Sequence, residues 1–255
     1  MDRLIYTALT GLTARSREQQ VTANNLANAQ VPGFRRELVV QEGRYLAVQR
    51  AASGAHATRA QAGAPSLSTP REGGRVLATG RALDVALAGN AWLAVQGPVV
   101  GGAAGDTIRE GYTRRGDLQL SPAGLVTTGD GRVVVKADGA PLSAPPGAAI
   151  SIAEDGSIAA QLPDGPVALG RLKLVDGSAL DPRDKAANGL FLPEDSLPAD
   201  PAARLAPGAL ETANVSTAQA LVELVEEQRG FEVNARLLRL AQDMDEQGAR
   251  LLRTQ

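Results

Sequence analysis

Few residues in this chain have a type and spacing suited to catalysis. The sequence holds one histidine, His56, among small residues and with no acidic neighbour. A metal site of several histidines is therefore impossible, and a Ser-His-Asp triad would depend on this residue alone. The glycine-rich run 101–105 lacks the Lys-Ser/Thr ending of a phosphate loop, and Asp130 is a single carboxylate where calcium needs several. We interpret His56 as a surface residue and both glycine segments as turns.

The remaining polar patterns also have simple structural explanations. Asp243 and Asp245 are two residues apart and face different directions on a helix. Asn214-Val215-Ser216 matches a glycosylation sequon, but Ser216 also suits a helix N-cap. The absence of cysteine excludes disulfides, thiolate metal sites and a cysteine nucleophile. We therefore predict no catalytic, cofactor-binding or metal-binding residue, no cofactor, and a protein that is not an enzyme.

Charge and hydropathy exclude several other classes of protein. Lys and Arg number 26 against 28 Asp and Glu, so a net charge of −2 gives no general attraction to nucleic acid or anionic lipid. No apolar run approaches the ~20 residues of a membrane-spanning helix. The first residues have no basic region followed by an apolar stretch, so we expect no cleaved signal peptide. Aromatic residues make up 3%, so the core must consist of Val, Leu, Ile and Ala.

Residues 1–40 have the spacing of one amphipathic helix. A seam with alternating steps of four and three residues runs through Ile5, Leu9, Leu12, Ser16, Gln19, Ala23 and Leu26. The seam is polar in its middle, and Gly11 costs roughly 1 kcal/mol relative to Ala, so this helix should need a partner. Val31-Pro32-Gly33 should end it, because the residue before proline avoids helix and Pro-Gly suits a tight turn.

Residues 214–255 predict a second, longer helix. Ser216 suits the N-cap with Gln219 at the third helical position, and no proline follows for about 37 residues, or roughly 55 Å of helix. Two displaced seams imply two partners, and the apolar surface exceeds what the first helix can cover, so the rest should meet other subunits. The packing residues predicted for the two helices are Ile5, Leu9, Leu12, Leu221, Leu224, Phe231, Leu238, Met244 and Leu251.

Residues 76–206 carry strand and turn signals. Leu83, Val85 and Leu87 alternate before Gly89-Asn90, and the chain returns at residues 92–95, which predicts a hairpin. Asp-Gly pairs recur between short apolar runs further on, as in an antiparallel β domain. The preceding stretch, 41–75, is rich in small and polar residues and predicts a linker or extended excursion.

Several segments together resemble the flagellar basal-body rod protein family, within the rod and hook axial proteins. They occur in the family's order, cover both ends and the middle of the chain, and leave gaps at 47–75 and 140–205. They are residues 1–8, 23–28, 32–35, 83–95, 112–117, 124–127, 210–215 and 228–232. The opening residues and the chain length most resemble the proximal-rod members. The assembly motif carried over from the family consists of Ala23, Asn24, Asn25, Leu26, Ala27, Asn28, Pro32, Gly33 and Phe34.

The asparagines of this motif have a physical interpretation beside the family one. Asn24, Asn25 and Asn28 are poor helix formers, and their amides can donate to and accept from a neighbouring backbone. An interface or export role and plain helix-end chemistry both remain open. Gly230 and Trp92 depart from the residues common in the family, without putting the resemblance in doubt.

The resemblance implies an α+β fold. Long N- and C-terminal helices would pack together as a coiled-coil-like inner domain, with an inserted antiparallel β domain. The boundaries we predict are 1–40 for the first helix, 41–75 for the linker, 76–206 for the β domain and 207–255 for the last helix.

The function implied is that of a structural subunit of the bacterial flagellar proximal rod, polymerising through its terminal helices to transmit torque. Its partners would be other rod proteins, copies of itself and the flagellar type III export apparatus, with no nucleic acid and no membrane insertion. It would lie in the basal body and be exported without signal cleavage. The alternatives are a distal-rod or hook-type axial protein, or a secreted β-domain binding module with a helical oligomerisation stalk.

Overall fold

The computed structural model describes most of the chain. The described ranges are 2–40, 43–47, 58–62, 66–102, 105–145, 147–163, 165–186 and 188–253. Within these ranges, only the backbone is described for 2–8, 43–47, 58–62, 100–107 and 245–253. His56 and part of the glycine run 101–105 lie outside these residues. The chain forms two compact units, each made of separate segments. Unit 1 comprises residues 1–27, 37–68 and 216–255, and unit 2 comprises 28–36 and 69–215.

Unit 1 contains the two long helices. α1 spans Asp2–Ala27 and α2 spans Thr217–Arg253, which is 37 residues. The predicted start of α2 is confirmed, since Ser216 Oγ accepts from Gln219 N at 3.4 Å and Ser216 O accepts from Ala220 N at 2.9 Å. These bonds satisfy amide groups that the first helical turn leaves without partners.

The apolar side chains buried on α1 and α2, two helices that are in contact, are small or short. Ala14 and Val21 on α1, and Ala220 and Ala241 on α2, are the buried apolar residues described on the two helices. Larger residues at the predicted packing positions are only half-buried. These are Leu12, Leu224, Phe231 and Leu238.

Unit 1 also contains four short strands. β1 (Leu38–Val40) pairs antiparallel with β4 (Ser66–Ser68), and β2 (Gly43–Ala47) pairs antiparallel with β3 (Thr58–Ala62). Both β1 and β3 lie against α1. The region predicted as a linker therefore contributes sheet to the unit that holds the helices.

Unit 2 contains the remaining strands, all paired antiparallel. They are β5 (Val76–Ala78), β6 (Val85–Leu87), β7 (Ala91–Gly102), β8 (Gly105–Thr113), β9 (Leu118–Leu120), β10 (Val126–Thr128), β11 (Ala149–Ile152), β12 (Ser157–Leu162), β13 (Gly165–Arg171), β14 (Leu174–Asp176), β15 (Leu205–Pro207) and β16 (Ala209–Glu211). Two three-stranded sheets have the orders β11-β12-β13 and β14-β7-β8. The two-stranded sheets are β9-β10, β6-β15 and β5-β16.

The core of unit 2 is mainly aliphatic, as the low aromatic content predicts. Val85, Leu93, Val95 and Leu118 are among its fully enclosed residues. A second buried cluster contains the aromatic residues Trp92, Tyr112 and Phe191. The Trp92 and Phe191 rings meet edge to face with centroids 4.8 Å apart, a favourable geometry for aromatic pairs.

The hairpin predicted across residues 83–95 is wrong. β6 pairs with β15, with Leu87 opposite Leu205, while β7 pairs with β8 and β14. The chain does turn between β6 and β7, since Ala91 N donates to Ala88 O at 3.1 Å. The predicted turn is therefore present, but the strands on its two sides belong to different sheets.

The predicted architecture also needs correction, although the α+β class holds. A coiled-coil-like inner domain with one inserted antiparallel β domain is wrong, because unit 1 combines its helices with β1–β4 and the described strands of unit 2 form several sheets of two or three strands. Three-residue strands such as β5, β6 and β9 are at the short end of the usual range, and they pair two by two instead of extending one sheet. On the helices, seam positions such as Leu9 and Leu221 remain 47% and 50% exposed. The four-part division of the chain given above stays a prediction.

Candidate functional site

Three charged residues form a buried network in unit 2. Glu211, at the end of β16, forms an ion pair with Arg35, with Oε1 3.0 Å from Nη2, and accepts a hydrogen bond from Arg114 Nη2 through Oε2 at 2.7 Å. Arg114 Nε also donates to Oε2, at 2.9 Å. All three side chains are at least 95% buried. Replacing one member of such a buried network by a neutral residue leaves an uncompensated charge, which is strongly destabilising.

Arg114 joins the turn between β6 and β7 to this network. Its Nη1 donates to Gly89 O at 3.0 Å and to Ala91 O at 2.8 Å, and its Nη2 donates to Leu87 O at 2.6 Å. The guanidinium lies over the Trp92 ring, 5.8 Å from the centroid. Its planar fork thus satisfies backbone carbonyls and a carboxylate together, which the compact ammonium of lysine could not do.

Burial disfavours the charged form of Arg35. Its pKa is lowered to about 10, first because the side chain is buried and then because Arg114 is close, while Glu211 opposes both effects. Arg35 remains protonated at neutral pH, so the network holds two cations and one carboxylate.

Gly33 lets the segment before Arg35 approach Arg114. Its N donates to Glu211 O at 2.8 Å, and its φ of +69° lies in the left-handed region. A Cβ at this position would lie 2.2 Å from Arg114 O, a distance no side chain tolerates. Only glycine fits here, for both conformational and steric reasons.

The residues around this turn are also fixed from the other end of unit 2. Asn214 Oδ1 accepts from Arg36 N at 2.6 Å, and its Nδ2 donates to Glu72 O at 2.9 Å. Phe34 is buried beneath Lys185, whose Nζ lies 4.5 Å from the ring centroid and donates to Arg35 O at 2.6 Å. The segments that follow α1 and precede α2 in sequence are therefore locked to each other inside unit 2.

The first half of the predicted assembly motif lies on the last turns of α1. Asn25 is 8% exposed, and its amide binds the backbone of Glu37 twice, donating to O and accepting from N at 2.8 Å each. This contact within unit 1 holds the residue before β1 against the end of α1. Of the neighbouring residues, Asn24, Leu26 and Asn28 are half-buried, and Ala23 and Ala27 are exposed.

The predicted helix-packing residues divide into two groups. Leu12, Leu224, Phe231 and Leu238 are half-buried, whereas Leu9, Leu221 and Met244 are 47–50% exposed. Ile5 and Leu251 lie in helical segments whose side chains are outside the described residues. The small buried residues of the two helices were missed, because alanine carries little hydrophobic signal.

The charged network was not predicted as a unit, although Arg35, Arg114 and Glu211 all lie in motifs that carried the family resemblance. The available signal was that each charged residue lies within three positions of a glycine or asparagine of those motifs. Among the described residues, no cluster of three His, Asp or Glu side chains could hold a metal ion. Neither described helix has the apolar length that a membrane span requires.

Comparison with known proteins identifies the family. Residues 5–35 match the family described as "Flagella basal body rod protein", and residues 206–251 match "Flagellar basal body rod FlgEFG protein C-terminal". The flagellar basal-body rod protein FlgF of Salmonella typhimurium is 36% identical over 256 residues, covering 93% of each chain. The chain belongs to the flagellar basal-body rod protein family. FlgF of Escherichia coli is likewise 36% identical, over 95% of each chain, and FlgG of Bacillus subtilis is 25% identical over 93% of this chain.

Family membership confirms the predicted class of function. The protein is a structural component of the bacterial flagellar basal-body rod and assembles with other rod proteins. Two members of the buried network, Arg35 and Glu211, lie within the two matched segments. The network thus connects the two parts of the rod protein that define its family.

Proposed function

We propose that this protein is a non-catalytic subunit of the proximal rod, which polymerises with copies of itself and other rod proteins through α2. The observation that supports this most directly is an apolar stripe on α2, here called the outer stripe. It consists of Val222, Val225, Val233, Leu237, Leu240 and Met244, each 48–59% exposed.

The outer stripe faces away from the contact with α1. Val233 and Leu240 each follow a half-buried residue, Phe231 and Leu238, by two positions, which is about 200° around a helix. α2 therefore has two apolar faces on nearly opposite sides. Exposed apolar residues aligned over this length are typical of a surface that another protein covers.

The similarity to FlgF supports the position in the proximal rod. We propose that the protein reaches the rod through the flagellar type III export apparatus, and that torque passes through the stacked helices. The assembly motif, residues 23–28 with Pro32, Gly33 and Phe34, would position the start of β1 and the Arg35 turn within each subunit. Asn25 and Gly33, with the contacts described above, support that role.

The experiment replaces two outer-stripe residues, Leu237→Gln and Leu240→Gln, in the native host. The expected result is a chain with normal Trp92 fluorescence and helical content that incorporates poorly into isolated basal bodies and supports little motility. Overexpression should restore motility in part, because higher subunit concentration offsets weaker association.

The matched control is the pair Glu232→Gln and Arg236→Gln, two exposed residues on the same part of α2. It should incorporate normally. Normal incorporation of the Leu237→Gln, Leu240→Gln variant would refute assembly through the outer stripe, while leaving family membership intact.

A further inference from the structure

A small cavity in unit 2 borders the charged network, because Arg35 belongs to both. Its volume is about 70 Å³. The residues that matter for its chemistry are Arg35, Thr69, Arg71, Trp92, Leu180 and Phe191. Cationic and hydroxyl groups are thus combined with an aromatic and aliphatic wall.

Two polar atoms of the cavity residues are buried without a hydrogen-bond partner among the described residues. They are Arg35 Nη1 and Thr69 Oγ1. Arg35 is 4% exposed, and its other terminal nitrogen, Nη2, is taken up by Glu211. Because proteins leave few buried donors unsatisfied, two such atoms in one lining indicate a group that accepts hydrogen bonds.

The charge around the cavity favours an anion. Arg35 and Arg114 share the single carboxylate of Glu211, so the buried network carries an excess positive charge. Arg71 adds an exposed cation to the lining. The Asp176 carboxylate accepts from Asn90 of the lining at 2.6 Å and from Ser178, and its interaction with Arg71 offsets part of that cation's charge. The excess positive charge at the cavity therefore comes mainly from the buried network.

The size and the apolar lining of the cavity favour a carboxylate over an inorganic anion. The volume is several times the ~10–15 Å³ that a cavity needs to hold one water molecule, so it can hold a carboxyl group with one or two methylenes. The edge-to-face pair of Trp92 and Phe191, with Leu180, offers a wall for those carbons. An inorganic anion would gain nothing from such a wall.

We propose that this cavity binds a carboxylate, with Arg35 Nη1 and Thr69 Oγ1 as its hydrogen-bond donors and Trp92 and Phe191 against its aliphatic carbons. The carboxylate belongs either to a free small molecule or to an acidic side chain of a neighbouring rod subunit. The second source rests on the rod function proposed above, whereas the first does not.

The first experiment uses Trp92, the single tryptophan of the chain, as the reporter. Purified full-length protein is titrated with sodium propionate at constant ionic strength, with sodium chloride as the reference. A saturable fluorescence change with propionate alone is expected. Thr69→Val, which removes the hydroxyl but keeps the shape, should raise the midpoint about tenfold, the loss expected for one charge-assisted hydrogen bond.

Three further variants make this result decisive. Thr69→Ser should restore the native midpoint, Arg71→Gln should raise it, and Thr217→Val, an exposed threonine of unit 1, should leave it unchanged. Arg71→Gln changes an exposed residue, so it keeps the test valid even if Thr69→Val does not fold. A response that does not saturate, or that is the same in Thr69→Val and Arg71→Gln as in the native chain, would overturn the proposal.

The second experiment separates the two sources by measuring incorporation of Thr69→Val into basal bodies. Tight, submillimolar binding of propionate with normal incorporation supports a free carboxylate. Weak, saturable binding with reduced incorporation supports an acidic side chain of a neighbouring subunit. Failure of the outer-stripe variants alone would refute only helix-mediated assembly, since propionate binding by the purified chain does not depend on it.

Discussion

At the scale of single residues, Gly33 shows how one backbone position controls a distant buried charge. Its left-handed conformation brings the chain against the carbonyl of Arg114, and Arg35 follows two residues later. The same guanidinium that this turn delivers to Glu211 also reaches the small cavity. A change at Gly33 should therefore affect both the ion pairs and the cavity.

Gly33→Ala should lower the free energy of unfolding of unit 2 by about 3 kcal/mol or more, because backbone strain and a steric clash act together. The matched control is Gly80→Ala, where φ is +73° but nothing lies within 4 Å of the added carbon. Strain alone should cost about 1–2 kcal/mol there. Urea unfolding followed by Trp92 fluorescence measures both, and equal losses would contradict the clash.

The surroundings of Glu110 should make the free energy of unfolding depend on pH. Burial alone would raise its pKa, but hydrogen bonds from Lys173, Ser196 and Tyr112 outweigh burial, and the pKa is lowered. The carboxyl group thus takes up a proton at a lower pH in the folded state than in the unfolded state. Its contribution to the free energy of unfolding is therefore present above the unfolded-state pKa and is lost as the pH falls through the folded-state pKa.

In Glu110→Gln, stability should therefore fall less between neutral and acidic pH than in the native chain. The measurement is the urea midpoint across that range, with the exposed Glu194→Gln as control. An unchanged pH profile in Glu110→Gln would show that the Lys173 contact, 2.7 Å in length, contributes no net stability.

At the scale of elements, α2 contains a residue that weakens it without a steric reason. The carbon added by Gly230→Ala would lie 3.5 Å from Arg15 Nε, an ordinary contact with a flexible side chain. Since glycine inside a helix costs roughly 1 kcal/mol relative to alanine, Gly230→Ala should stabilise unit 1 by about that amount. Thermal unfolding followed by circular dichroism tests this, and a lower midpoint would indicate a packing role for Gly230.

The sequence predicted the helices better than the sheets. Ser216 and the absence of proline defined α2, and Val31-Pro32-Gly33 placed the end of α1 near Ala27. Both signals are local. By contrast, the pairing of β6 with β15 joins three-residue strands far apart in sequence, and such strands are too short to show a period.

The candidate site was predictable only in part, for the same reason. Gly33 and Asn214 stood out as motif residues, but nothing in the sequence shows that Arg35 and Arg114 share Glu211. The stretch 41–75 was predicted as a linker or an extended excursion, and its strand pairs, which form within its described residues and next to them, were not predicted. Their alternation is weak because small and polar residues occupy both faces.

At the scale of the whole molecule, the two units should respond separately to perturbation. Trp92 lies in unit 2, whereas α1 and α2 lie in unit 1, so fluorescence and far-ultraviolet circular dichroism report different units. Glu211→Gln should lower the free energy of unfolding of unit 2, measured by fluorescence, by about 3–5 kcal/mol, the usual cost of breaking a buried ion pair. The unfolding of the helices, measured by circular dichroism, should not change.

Glu227→Gln is the converse variant. Burial raises the pKa of Glu227, a hydrogen bond of 2.7 Å from Thr22 opposes this, and Glu18 and Glu223 raise it again. The charged form is therefore disfavoured in the folded state, and stability is lost as pH rises through the folded pKa. At neutral pH, Glu227→Gln should raise the unfolding midpoint measured by circular dichroism and leave the midpoint measured by Trp92 fluorescence unchanged. Equal shifts of both midpoints would show that the two units unfold together.

The long sequence separations inside unit 2 impose an order in time on its formation. Arg36 and Asn214, which are hydrogen-bonded, are 178 residues apart, and Glu211 is made when most of the chain has already left the ribosome. Until then Arg35 and Arg114 have no shared carboxylate to bury. A chain released before Glu211 would keep this part of its interior open and accessible to proteases. We therefore expect the native fold of unit 2 to form only in chains whose synthesis has passed that residue, and shorter chains to be degraded more readily.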